Sequence, residues 1–322
     1  MSDPDLLLPI FKKLAADMDE KEEFPARRLL LAHYTSLAAL EGIAARKEVW
    51  FSHPMAMNDH EEMVFGMNEG ANAFRSHSGL LNACRGRGRY ELLQAAFETA
   101  LQTFWEHHAF DTYVFCAAAH DAQDFNGRLS LWRGYGGNGA GVAIVFDTDK
   151  FAFVPESPFL IGRVHYLSRE ARIAWAHERL DVLAEALKEI TVPDGQLGLP
   201  VMAFLERLKL AAIFSKDIGF EEEQEWRVVY RPERDTGGLL GNMLSYAVGP
   251  HGVAPRLKLK IAPLPGILAD DTSLEKFIDR IILGPSQTSI LALPTVRRIL
   301  AQEGMTALSD RVWASTTPFR AI

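Results

Sequence analysis

Short apolar runs separated by polar stretches set the pattern of this chain. Residues 29–32 are apolar and flanked by polar residues, which is typical of a buried strand. Thr35 or Ser36 follows as a helix N-cap, because a hydroxyl accepts a backbone N–H of the first turn. Residues 49–51 are a second apolar run. The pattern predicts strand, helix and strand, with His33 at the tip of the first strand. There it either contacts a ligand or only hydrogen-bonds nearby backbone.

The remaining pattern mixes strands and long helices without regular alternation. Strands are predicted at 113–117, 142–146, 226–230, 257–261, 278–283 and 307–314, and helices at 90–107, 129–135, 169–190, 200–214 and 290–302. A helix opens the chain within residues 1–28, and residues 85–89 indicate a mobile loop. Helices that segregate around strands are typical of the α+β class. We predict one α+β domain over residues 1–322, with mixed, mostly antiparallel sheets flanked by helices and a helical insertion at 169–214.

Composition and charge narrow the classes of function. The 322 residues are 48% hydrophobic and 24% charged, which is ordinary for a globular protein. The net charge of −8 argues against broad binding to nucleic acid or to an anionic membrane. No stretch reaches the length of a membrane span. Cys84 and Cys116 give no disulfide framework and no zinc pattern, so we expect a reducing, cytoplasmic setting and no metal.

A polar cluster, Asn58-Asp59-His60-Glu61-Glu62, follows the second predicted strand. Zinc proteases carry a second histidine four residues after the first, but Val64 stands there in this chain. We interpret Asn58 and Asp59 as loop-forming residues, because such side chains bond to the backbone in turns.

A glycine-rich stretch runs from Gly134 to Gly141, between a short predicted helix and a strand. Its spacing matches G-x-G-x-x-G, but the dinucleotide-binding pattern needs a strand before the glycines and a helix after them. The order here is reversed, so a Rossmann site is rejected. The stretch instead predicts a flexible loop that lets backbone approach another group closely. Trp132 and Tyr135 either offer aromatic surface beside it or belong to the core.

Four glutamates crowd residues 221–225, just before an apolar strand. Strand alternation puts Glu223, Glu225 and Arg227 on one face and Trp226 on the other. The glutamates fit a solvated acidic loop, yet Glu225 abuts Trp226 and so lies near packed surface. Glu225 either forms a structural pair with Arg227 or stabilises positive charge on a substrate.

Several segments spread over residues 29–285 carry a family pattern. They are His33-Tyr34-Thr35-Ser36, Trp50-Phe51-Ser52, Asn58-Asp59-x-Glu61, Leu131-Trp132-x-x-Tyr135, Gly141-Val142-Ala143-Ile144-Val145-Phe146, Lys216-x-x-x-Phe220-x-x-Glu223-x-Glu225-Trp226-Arg227 and Ile281-Ile282-Leu283-Gly284-Pro285. The set resembles a bacterial family of unknown function, DUF2971, in which proline is common at the position of His60. The family name implies no activity.

The segment His33-x-Thr35, followed by Leu40 and Ile43, also resembles the opening motif of ADP-ribosyltransferases. This resemblance implies an ADP-ribosyltransferase-like core and NAD as substrate. It further implies a first-strand histidine on the nicotinamide-side ribose, an aromatic residue stacked on nicotinamide and a late glutamate. His33 matches the histidine and Glu225 matches the glutamate. The aromatic residue stays open between Tyr34, Trp50, Trp132 and Tyr135.

The implied function is an NAD-using, ADP-ribosyltransferase-like enzyme that breaks the nicotinamide–ribose bond, with the acceptor unknown. Glu225 then stabilises the oxocarbenium-like charge, Glu223 accepts a proton from the acceptor, and His33 fixes the ribose. The residues expected to bind NAD are His33, Tyr34, Thr35, Trp132, Tyr135 and Arg227. On this hypothesis His33 and Glu225 face one cleft. The alternative is a non-catalytic ligand- or protein-binding module that retains the fold.

Overall fold

The structure is a computed structural model that describes residues 4–18, 29–57, 60–106, 111–150, 157–235, 237–249, 252–286 and 289–319. Its chain divides into two compact units, each assembled from separate stretches of sequence. The helical unit comprises Met1–Glu23, Pro54–Thr112 and His165–Glu221. The sheet unit comprises Phe24–His53, Tyr113–Val164 and Glu222–Ile322. The helical insertion predicted at 169–214 lies in the helical unit, together with two earlier stretches of the chain.

The helices and strands have the following bounds. The helices are α1 (Pro4–Leu14), α2 (Leu37–Arg46), α3 (His60–Ser76), α4 (Ser78–Ala83), α5 (Arg87–Glu106), α6 (Leu129–Gly134), α7 (Arg169–Glu189), α8 (Gly198–Ile213), α9 (Leu274–Phe277), α10 (Ala292–Gln302) and α11 (Thr306–Ser309). The strands are β1 (Leu30–Thr35), β2 (Glu48–Ser52), β3 (Tyr113–His120), β4 (Val142–Asp147), β5 (Phe159–Arg163), β6 (His165–Leu167), β7 (Ser215–Asp217), β8 (Glu225–Tyr230), β9 (Leu244–Gly249), β10 (Gly252–Lys260), β11 (Ile278–Leu283) and β12 (Val312–Ala314).

The helical unit packs α1, α3, α4, α5, α7 and α8 around one apolar core. The Phe74 and Phe97 rings stack at its centre, 3.9 Å apart. Ser168 caps α7, because its Oγ accepts the N–H of Ala171 at 3.2 Å. The start of α7 after Ser168 is as the sequence predicts. Strands β6 and β7 form a small parallel sheet in this unit.

The sheet unit contains a ten-stranded sheet. Eight strands follow the order β12-β11-β4-β1-β3-β2-β10-β9. The other two extend the sheet from β3, since β8 pairs with β3 and β5 pairs with β8. Every pairing is antiparallel except that of β11 with β12. The prediction of a mixed, mostly antiparallel sheet flanked by helices is confirmed.

The two faces of this sheet pack into different clusters. Leu31, Phe115 and Ile144 belong to the larger cluster, on what we call the first face. Ala32, Ala118 and their neighbours belong to a smaller cluster, on the second face. Because successive residues of a strand point to opposite faces, the cluster of one residue fixes the face of the next.

Three local predictions are wrong. Strand β1 continues through Thr35, so His33 lies inside the strand and not at its tip. Of the two predicted caps of α2, Ser36 is the one observed, since its Oγ accepts the N–H of Ala39 at 3.1 Å. Helix α5 begins at Arg87, within the stretch expected to be a loop, since tertiary packing overrides the glycine there. Residues 306–309 are helical, and the last strand holds only Val312–Ala314.

Candidate functional site

His33 lies beside the part of β3 where the neighbouring strand on one edge changes from β2 to β1. Strand β8 runs along one edge of β3, and β1 and β2 share the other edge. In the gap between their pairings, the Cys116 carbonyl accepts a hydrogen bond from Nδ1 of His33 at 2.8 Å. A carbonyl only accepts, so the proton is on Nδ1 and Nε2 carries a lone pair. The side chain of His33 thus replaces a missing ladder bond and keeps one acceptor nitrogen.

Packing disfavours the charged form of the His33 ring. Burial lowers the pKa of His33 below 6.5, although the bond to the Cys116 carbonyl opposes this shift. The ring lies 4.7 Å from the Phe115 ring, centroid to centroid. A neutral ring beside apolar surface can accept a hydrogen bond from a hydroxyl at Nε2, but it supplies no positive charge.

His33 and Glu225 lie on opposite faces of the sheet. His33 stands between Ala32 and Tyr34, which both pack on the second face, so His33 points to the first face with Phe115. Glu225 pairs across the strands with Ala118, so it points to the second face. The expectation that His33 and Glu225 face one cleft is therefore wrong, and the ADP-ribosyltransferase arrangement in which one ribose bridges both side chains is ruled out. The cause is the alternation of side chains along each strand. Strand β1 directs His33 to the first face, and β8 directs Glu225 to the second.

Glu225 and Arg227 form a buried, bidentate ion pair at the start of β8. Arg227 Nε donates to Glu225 Oε1 at 2.8 Å, and Nη2 donates to Oε2 at 3.0 Å. Both side chains are buried. Residues two apart on a strand share a face, so the sequence already places these two side chains together. The pair agrees with the structural alternative for Glu225, since each charge neutralises the other.

Glu223 is positioned by a turn and not by the strand. A 3₁₀ turn ends at Glu223, and Gln224 has a φ of 45°, in the left-handed region. The prediction that strand alternation aligns Glu223 with Glu225 is wrong, because β8 begins only at Glu225. Instead the hydroxyl of Tyr135 donates to Glu223 Oε1 at 2.8 Å. Tyr135 is 40% exposed, so this Tyr135–Glu223 pair joins an accessible aromatic ring to a carboxylate.

Arg128 holds this turn in place, and sequence reasoning missed it. Its Nη2 donates to the carbonyl of Ala119 at 2.8 Å and to the side chain of Gln224. Its Nη1 lies 3.3 Å from the Glu222 carbonyl and 3.4 Å from that of Glu223. No motif marks an arginine that acts on backbone carbonyls of a distant turn. The guanidinium therefore ties the end of β3 to the Glu222–Gln224 turn.

Two residues expected to bind NAD belong to the core. Trp132 is fully buried, and its Nε1 donates to the Asn126 carbonyl at 2.9 Å, so neither ring face is open to a ligand. Tyr34 is also buried, with its ring edge-on to Trp132 and its hydroxyl accepting the Arg128 N–H at 2.9 Å. Burial raises the pKa of Tyr34 to about 12. These contacts correct the expectation of ligand binding for Trp132 and Tyr34; for half-buried Thr35 it stays a prediction.

The glycine-rich loop approaches other parts of the same chain. A Cβ on Gly141 would lie 2.2 Å from the Thr35 carbonyl oxygen, and one on Gly284 would lie 2.2 Å from that of Gly139. Gly284 N–H donates to Gly141 O at 2.9 Å, and Gly139 N–H donates to Trp132 O at 3.1 Å. The prediction of close backbone approach is confirmed, and the partner is backbone. The bonds pin the loop at both ends.

The polar cluster after β2 is described only in part. Asn58 and Asp59 lie outside the described residues, and α3 begins at His60. Among the described residues, no group of three or more His, Cys, Asp or Glu side chains is placed to hold a metal ion. In the same part of the chain, no helix is both long and apolar enough to cross a membrane.

Comparison with known proteins gives one family. The model of the family described as "Protein of unknown function (DUF2971)" matches residues 131–228. This confirms the resemblance to that family over the segment that holds Tyr135, Glu223, Glu225 and Arg227, while His33 lies outside it. No curated protein and no solved structure matches the chain.

Proposed function

We propose that the protein is an NAD-using, ADP-ribosyltransferase-like enzyme that breaks the nicotinamide–ribose bond, with Glu223 as its catalytic carboxylate. The observation that carries the proposal is the Tyr135–Glu223 pair. It supplies the two groups that this reaction needs side by side: an open aromatic ring and a carboxylate held by a hydrogen bond.

The bond that breaks joins the nicotinamide nitrogen to C1′ of the ribose. Its electron pair leaves with nicotinamide, which becomes neutral, and positive charge develops on C1′ and the ring oxygen. A carboxylate fixed beside C1′ stabilises that charge more than it stabilises the ground state. The acceptor nucleophile, or water, then bonds to C1′ and gives up its proton to a carboxylate.

Tyr135 binds the nicotinamide and orients Glu223 in this proposal. An aromatic ring stacks on the flat nicotinamide ring. The phenol hydrogen bond orients the carboxylate of Glu223, whose oxygens can each accept more than one hydrogen bond.

The Glu225–Arg227 pair has a supporting role. Its charges are already matched within 3.0 Å, so Glu225 has little negative potential to offer a substrate. The pair fixes the first residues of β8, directly after the turn that carries Glu223. His33, on the first face, acts through the Cys116 carbonyl and not on the ligand.

The second candidate is a non-catalytic ligand-binding module that retains the fold. The internal neutralisation of Glu225 favours it, because an enzyme of this type was expected to use that charge. Such a protein binds NAD at the Tyr135 ring without releasing nicotinamide.

Nicotinamide release from NAD, measured by chromatography beside NAD binding by calorimetry, separates the two functions. The enzyme proposal expects release by the wild type, a higher KM in Tyr135→Ala and a lower kcat in Tyr135→Phe, which keeps the ring but removes its hydrogen bond to Glu223. Binding without release in every acceptor condition, with loss of binding in Tyr135→Ala, supports the module. Absence of both binding and release contradicts both functions. We expect the protein to act in the cytoplasm, where NAD and reduced thiols are found.

A further inference from the structure

The last strand on one side of the sheet, β9, has an unusually apolar edge, and no strand among the described residues pairs with that edge. Tyr246 and Val248 on β9 are 70% and 84% exposed, and Val253 on the adjacent β10 is 69% exposed. Edge strands in monomers usually carry charges, proline or a bulge, which stop another strand from pairing. The segment Leu244–Gly249 contains no charged residue and no proline. Nothing in its sequence blocks an incoming strand.

The exposed side chains continue the apolar face of the core. Tyr246 pairs with Pro255, Val248 with Val253, and Leu244 with Leu257, which is buried in the main cluster. Residues paired directly across antiparallel strands share a face. The apolar row therefore runs from the buried core out along the β9–β10 hairpin into solvent.

Charge favours this hairpin as the contact between two copies of the chain. The chain carries −8 overall, so two copies repel each other over most of their surface. Between Asp235 and Asp270 there is no Asp or Glu, while β10 contributes Arg256, Lys258 and Lys260. The hairpin is thus a region where two acidic chains can approach with little repulsion.

We propose that two copies of the chain pair through β9, antiparallel and about a two-fold axis, to form one continuous sheet. An axis at Tyr246 puts the two Tyr246 rings together and puts Leu244 of each copy against Val248 of the other. Every cross-strand contact on that face is then apolar. A two-fold axis also lets the same surface serve both partners, as in most dimers.

Repulsion between the basic residues of the two β10 strands does not oppose this pairing. The two β10 strands in such a dimer are three strand spacings apart, about 14 Å. That separation exceeds the Debye length of about 8 Å at physiological ionic strength, so their repulsion is largely screened.

Sedimentation velocity over a range of protein concentrations tests the proposal. The wild type is expected to associate reversibly to a dimer, and Val248→Lys is expected to weaken that association at least tenfold, since an edge lysine blocks pairing. Ile290→Lys is the matched control, because Ile290 is 90% exposed and lies far along the chain from the hairpin. It should leave the association unchanged. Both sites are exposed, so both variants should fold, which circular dichroism checks.

Hydrogen exchange gives a second, independent measurement. The β9 amides that face the free edge should gain protection as the protein concentration rises, and should not do so in Val248→Lys. A wild type that stays monomeric, a dimer that Val248→Lys leaves intact, or a dimer that Ile290→Lys disrupts equally would each overturn the proposal.

Discussion

His33 and the Tyr135–Glu223 pair are the two ends of the site that the sequence predicts, and they differ in what their polar atoms bind. Nδ1 of His33 donates a hydrogen bond to the Cys116 carbonyl, inside the sheet and on its first face. Glu223 accepts a hydrogen bond from the Tyr135 hydroxyl in the turn directly before β8. The His33 bond satisfies a backbone carbonyl that lies in the gap between the pairings of β3 with β1 and with β2. The Tyr135 bond instead places a carboxylate next to an exposed aromatic ring.

This difference shows a limit of predicting a site from sequence motifs. A histidine and a glutamate at the expected places in the sequence share a cleft only if their strands direct both side chains to the same face of the sheet. Here β1 points His33 away from the face that holds Glu225. Substitutions at β8, at the Tyr135–Glu223 pair and beside His33 therefore test the two regions separately.

Arg227→Met should be the most destabilising of the changes considered. It leaves the buried Glu225 carboxylate without the guanidinium that neutralises it, and breaking a buried pair in this way costs about 3–5 kcal/mol. Urea unfolding measures the loss. Adding Glu225→Gln to this variant should recover part of it, because the buried charge is then gone. If the double variant is no more stable than Arg227→Met, the pair is not the source of the effect.

Glu223→Gln should reduce nicotinamide release by about 10²-fold or more with little change in stability, the loss seen when one preorganised electrostatic group is removed. Glu222→Gln is the matched control, since Glu222 is an exposed neighbour in the same acidic turn. Release and thermal melting are measured on the same preparations. Equal losses in both variants would mean that general charge, and not the Tyr135-bound carboxylate, supports turnover.

Gly141→Ala tests the strand end next to His33. Its Cβ would meet the Thr35 carbonyl at 2.2 Å, so we expect a loss of about 1–3 kcal/mol from overpacking. Gly134→Ala adds the same atom where no other atom lies within 4 Å, and should be neutral or slightly stabilising. Chemical denaturation of both variants compares them. A stable Gly141→Ala protein would show that the loop does not need its close approach to β1.

The pH dependence of stability should report the packing of the half-buried His33 ring. Burial lowers its folded-state pKa below the unfolded value of 6.5, so below that pH the unfolded chain binds more protons. Stability is therefore fully present above pH 6.5 and falls as the pH drops towards the folded pKa. His33→Asn should flatten part of this decline in urea unfolding between pH 7.5 and 5.5. His120, whose pKa burial also lowers, accounts for decline that remains. An unchanged profile would contradict a lowered pKa of His33 in the folded state.

Much of the fold follows from local pattern. The apolar run of β1, the Ser36 cap and the helix after Ser168 are set by residues within a few positions of each other, and the structure has them where predicted. Strand β9 was not predicted, because its apolar residues face solvent and its order depends on pairing with β10.

The candidate site was predictable only in its local parts. Glu225 and Arg227 share a face because they are two residues apart on a strand, and this could be read from the sequence. The positions of Glu223 and Arg128 depend on a left-handed Gln224 and on contacts about 95 residues away along the chain. No spacing rule encodes such contacts. The same holds for the burial of Trp132, which only the packed cluster decides.

A crystal structure of the protein soaked with NAD would locate the nicotinamide and the ribose directly. We expect nicotinamide stacked on the Tyr135 ring and a ribose hydroxyl within hydrogen-bond reach of Glu223. Density for NAD beside His33 on the first face, with Tyr135 and Glu223 untouched, would contradict this expectation.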